Sequence, residues 1–130
     1  MAYIDPTIEV TYLLFSGRPN PTWGMSAEQV SRFKKMISSL PSAEPRPLRW
    51  QGFLIQNYNN VADFPDQVVV HDGLVEITYG RKTTYHVDEK NVESWLRNQG
   101  LESPMGGLIR EILQKRGVKV WGEKGDNSNY

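Results

Sequence analysis

The chain of 130 residues contains no cysteine. Disulfide scaffolds, thiolate metal sites and thiol nucleophiles are thereby excluded. An excess of either charge is also missing, because fifteen basic residues balance fifteen acidic ones. A dedicated nucleic-acid binder carries surplus lysine and arginine to neutralise phosphates, and a membrane-surface protein carries a polybasic cluster. Neither nucleic acid nor membrane is therefore expected as a partner. No long apolar run exists: the stretch Tyr12 to Phe15 is far too short to cross a bilayer. The first residues, Met1 to Pro6, lack the basic and apolar regions of a signal peptide, so a cytoplasmic location is the simplest expectation.

Motifs that cradle phosphates or present a nucleophile are missing as well. There is no Gly-x-x-x-x-Gly-Lys-Thr, no Gly-x-Gly-x-x-Gly and no Gly-x-Ser-x-Gly, and no cofactor is expected. Histidine is scarce. His71 flanks a turn and His86 lies near a strand end, without the spacing of a metal pair. Joint binding of a metal by two neighbouring strands ranks below an ordinary surface role, and no metal site is expected. Asp63, Asp66 and Asp72 suit loops, where aspartate serves local hydrogen bonding. Glu76 alternates with apolar neighbours and faces either solvent or a cavity.

What the chain does hold is apolar mass, 38% hydrophobic and 11% aromatic, enough at this length for one core. A single α+β domain over 1–121 is expected, with a polar, fraying tail over 122–130. Residues Thr7 to Phe15 alternate as a strand that becomes apolar on both faces at its end, which suits a place in the middle of the sheet reached by a long crossover. Ser26 and Gln29 form a capping box ahead of Val30, Phe33, Ile37 and Leu40 at helical spacing, and Glu28 and Arg32 are placed to pair. Trp50 to Tyr58 reads as a strand with Gly52 as a bulge or close approach.

Two apolar runs then flank Asp72-Gly73, the signature of a type I′ hairpin, and Gly80 to Lys82 turns into a third strand ending at Val87. Asp88 is placed to cap a helix ending at Gly100, Ser103-Pro104 starts another that stops at Gly117, and Val118 to Val120 suits a short edge strand. Helices with one apolar face need a sheet to cover. The expected architecture is a two-layer α+β sandwich, with a mostly antiparallel sheet of four to five strands and three helices.

The segment Ser16 to Gly24 departs furthest from an ordinary connection. Pro19 and Pro21 stiffen it, and between and beside them stand Arg18, Asn20 and Trp23. Fixed planar polar groups next to a flat aromatic face suit sugar rings, and aromatic and arginine anchors suit peptides. The purely structural alternative has Trp23 packing on the helix and Arg18 paired to an acid, with even weight. Gly106-Gly107 offers an anion-binding helix start, ranked behind close packing of that turn. Arg46, Arg49, Arg81 and Lys82, near Trp50 and Tyr79, form at most a basic strip for single strands, which a neutral net charge disfavours.

The expectation is a non-enzymatic binding domain that holds a carbohydrate or other small polar ligand at Arg18, Asn20 and Trp23. A protein-interaction or regulatory module using the same aromatic surface is the second reading, and a small hydrolase with a dispersed site the third. Solvent access to Trp23 separates the binding readings from the structural one.

Overall fold

The computed structural model describes residues 8–14, 19–47 and 52–117. One antiparallel sheet is formed by β1 (Ile8–Tyr12), β2 (Thr22–Gly24), β3 (Phe53–Asn57), β4 (Gln67–His71), β5 (Leu74–Tyr79) and β6 (Lys82–Val87). Their spatial order is β2-β1-β3-β4-β5-β6. Three helices, α1 (Ala27–Ile37), α2 (Val92–Glu102) and α3 (Gly106–Lys115), complete the α+β fold. The sheet thus has six strands where four to five were expected. The addition is β2, three residues inside what reads as a loop. Its single apolar side chain leaves no alternation to detect, and only pairing with β1 reveals it.

Alternation sets the two faces. Ile8, Val10, Tyr12, Phe53, Ile55, Val68, Val70, Val75 and Ile77 point to one side and join Phe33, Ile37, Leu96, Ile109, Ile112 and Leu113 of the helices in one buried cluster. β1 lies between β2 and β3, one place from the edge rather than in the middle of the sheet as expected. Arg97 of α2 donates from Nε to the Tyr12 hydroxyl at 3.2 Å, and Arg116, the C-cap of α3, donates to the Leu14 carbonyl at 2.6 Å, so α2 is tied to the end of β1 and the end of α3 to the residues just after it.

The termini of the elements follow local chemistry. Ser26 accepts the Gln29 N–H at 3.1 Å and Gln29 Oε1 accepts the Ser26 N–H at 2.8 Å, completing the capping box. Asp72 (φ 48°) and Gly73 (φ 76°) both adopt the left-handed region, as a type I′ turn demands. Asp88 caps α2 from outside it, with Oδ1 accepting from Val92 N–H at 2.6 Å and Oδ2 from Glu93 N–H at 3.0 Å.

Other expectations are corrected. Glu28 and Arg32 form no ion pair among the described residues. α2 does not stop at Gly100 but runs through it to Glu102. Gly106 packs as expected, but against α2 rather than the sheet: a Cβ there would collide with the Leu101 carbonyl. The tail over 122–130 and the strand at Val118 to Val120 lie outside the described residues. No described helix is long and apolar enough to cross a membrane.

Two outcomes test this architecture. Gly73→Val forces a β-branched residue to φ 76° and should destabilise by about 1 kcal/mol or more; an unchanged denaturation midpoint removes the turn assignment. Burial raises the Glu93 carboxyl above its ordinary 4.5, against the opposing pull of Arg97 at 3.4 Å, while Asp88 and Asp72 add to the rise. The folded state then holds this proton more tightly than the unfolded chain. The contribution is most favourable below the unfolded pKa and is lost as pH rises through the folded one. Urea midpoints measured upward from about pH 4.5 should fall for wild type relative to Glu93→Gln; parallel pH profiles would contradict it.

Candidate polar groove at the β2 edge

The residues expected to form one exposed surface have three different fates. Arg18 lies outside the described residues. Asn20 is half-buried and turned inward, its Oδ1 accepting the Leu14 N–H at 2.8 Å. Trp23 is 7% exposed, so its ring face is not offered for stacking as the sequence suggested. The reason is strand geometry. Val10 and Trp23 are register partners, so the indole shares the core face with Val10 and enters the helical layer.

There Trp23 meets α2. A Cβ on Gly100 would stand 2.5 Å from the indole Cη2, so only glycine lets the ring lie against the helix. One residue before it, Gln99 accepts the indole Nε1–H on Oε1 at 2.7 Å. This bond decides the amide's orientation, because an indole only donates and must face the oxygen. The NH2 end is consequently turned away from Trp23. Gln99 is 6% exposed, and its Nε2 has no hydrogen-bond partner among the described residues. A buried donor left unmade costs about 1–3 kcal/mol.

Gln99 lines two adjoining clefts. The larger, about 780 Å³, runs between α1 and α2 past Ser31, Arg32, Trp95 and Asn98. The smaller, about 440 Å³, lies along Thr22, Trp23 and Gly24 and is closed by Ser103, Pro104 and Met105 of the α2–α3 turn. Gln29, Gln99 and Glu102 belong to both, which makes one groove with Gln99 at its bend. Neither Gln99 nor Asn98 stood out in the sequence. The available signal was Gly100 within a helical pattern, a mark of close approach that reads equally well as a helix end.

Gln99 Nε2 is not alone in this: His71 Nδ1 is also buried without a partner among the described residues. His71, 2% exposed on β4, lies on the sheet face opposite the helices, and its Nε2 is 2.8 Å from Glu76 Oε2 on β5. A carboxylate only accepts, so the hydrogen sits on Nε2. Gly52 passes so close that a Cβ would come 2.7 Å from His71 Cβ, which makes it a close approach rather than a bulge. His86 stands two strands away from His71 on the other face, so the two histidines do not converge. No group of three metal-ligating side chains occurs among the described residues.

A third cleft, about 380 Å³, contains Lys34, Asp63, Thr84 and His86. Thr84 Oγ1 is 2.8 Å from His86 Nε2, and His86 Nδ1 is 3.3 Å from the Leu40 carbonyl, a chain of bonds that pins the segment after α1 onto β6. The basic strip is not formed by its described members: Arg46 pairs with Asp72 at 3.5 Å, while Arg81 and Lys82 sit at the other end of β5, about 20 Å away. Arg49 and Trp50 lie outside the described residues.

No family model, no curated protein and no solved structure matches this chain.

The packing role of Trp23 predicts that Gly100→Ala, which drives a methyl group into the indole, destabilises by about 1–3 kcal/mol. Chemical denaturation measures it, and a neutral result would mean that the ring is not held against α2.

Proposed function

We propose that the chain is a non-enzymatic binding domain, with its ligand seated in the groove at Gln99. The observation that carries this reading is the orphaned Gln99 Nε2, a buried donor whose partner oxygen is already committed to Trp23. A ligand presenting a hydrogen-bond acceptor at that point removes the cost of the unmade bond. Sugar hydroxyls and amide carbonyls both offer such an acceptor, so the ligand class is small and polar or a polar part of something larger. Asn98 and Arg32 supply further donors along the walls. Asn20 and Trp23 act in this reading by position rather than by touch: they anchor the strand edge and orient the amide.

A protein partner is the second reading, favoured by the β2 edge beside the groove, which no described strand covers. For the first, ligand-observed NMR against a panel of mono- and disaccharides, free amino acids and short peptides supplies the test. Gln99→Glu keeps an acceptor for the indole but replaces the donor end, and should weaken any bound compound by about tenfold or more. A ligand indifferent to Gln99→Glu, or no ligand from any class, would overturn the groove as a binding site.

A further inference from the structure

The two edges of the sheet are treated differently. At β6, Ala43 donates to the Tyr85 carbonyl at 2.9 Å and the Pro41 carbonyl accepts the Val87 N–H at 2.8 Å, so the chain covers this edge itself. At β2, the bonds Tyr12 N–H to Pro21 O at 2.9 Å and Met25 N–H to Ile8 O at 3.0 Å fix which residues face β1. Pro21, Trp23 and Met25 face it, and the N–H and C=O groups of Thr22 and Gly24 therefore point outward. Both residues are exposed, and no described strand pairs with them on that side. They carry none of the charges or prolines that usually blunt an edge.

We infer that this edge receives an extended segment of a partner protein, added as an antiparallel strand beside β2. The inference rests on the groove reading above and specifies its occupant. In such a ladder the segment's central residue stands opposite Trp23 and projects to the same face. That face is where the groove bends at Gln99. The central side chain must offer an acceptor to Gln99 Nε2, and Glu102 in the groove wall disfavours a carboxylate. Asparagine, glutamine, serine or threonine satisfies both conditions. A second copy of this chain fits less well. Two-fold pairing would set Trp23 against itself, and an indole wedged under Gly100 has no way to fill its partner's groove.

The test uses a synthetic peptide, acetyl-Lys-Thr-Val-Asn-Val-Thr-Lys-amide, with two relatives: one with Val in place of the central Asn, one N-methylated at both flanking Val residues. The protein is used as wild type, Gln99→Glu and Thr22→Pro. Proline at 22 removes an outward N–H and no bond to β1, so the fold is retained. Peptide binding to wild type should slow amide exchange at Thr22 and Gly24. The N-methylated peptide, Thr22→Pro, the central Val and Gln99→Glu should each weaken binding about tenfold or more.

Equal affinity for the N-methylated peptide or for Thr22→Pro would overturn strand addition even if Gln99→Glu still weakens binding, leaving the groove reading intact. A saccharide bound where no peptide binds would likewise overturn strand addition and keep the groove. Sedimentation that shows a dimer abolished by Thr22→Pro would assign the edge to a second copy instead. Binding of neither saccharide nor peptide defeats both readings.

Discussion

The wedge of Trp23 against Gly100 sets how the sheet edge and the helical layer meet. A strand of three residues has little hold on its neighbour, and β2 owes its place to the indole it sends into the core. Aromatic burial of this size outweighs the few ladder bonds that β2 makes. The ring needs a helix without a side chain at the contact, and Gly100 supplies it in mid-helix, where glycine otherwise weakens the element. The position of α2 over β1 follows, and with it the turn that carries Ser103 to Met105 beside the edge.

Fixing the indole has a chemical consequence. Its single N–H needs a buried acceptor, and Gln99 provides one, but a primary amide brings two donors with its oxygen. The protein satisfies the oxygen and leaves the nitrogen of a well-packed side chain buried without a partner among the described residues, in a residue that lines the groove. On the far face, beneath Gly52, the Glu76 carboxylate meets His71 Nε2 directly, while His71 Nδ1 is, like Gln99 Nε2, buried without a partner among the described residues.

The unequal sheet edges fit the same picture. The β6 edge is closed by local chain, with His86 and Thr84 anchoring the segment that follows α1. No described strand covers the β2 edge, which is three residues long. In the strand addition inferred above, the outward backbone groups of Thr22 and Gly24 would supply the directional half of peptide recognition and Gln99 the selective half.

The sequence by itself determined the elements whose causes are local. The capping box at Ser26, the left-handed Asp72-Gly73 turn, the period of α1, the alternation of β1 and the apolar runs of β4 and β5 are each written within a few neighbouring residues, because their hydrogen bonds and side-chain faces span only that distance. The proline pattern after β1 was legible for the same reason. Its meaning was not. Whether Trp23 stacks on a ligand or fills the core depends on its register against Val10, and whether Gly100 ends a helix or admits an indole depends on a residue 77 positions earlier. Gln99 is an unremarked polar residue until the tertiary structure takes its oxygen and isolates its nitrogen. Long-range pairing decided those roles, since it fixes which atoms share a buried space, and no local pattern encodes that.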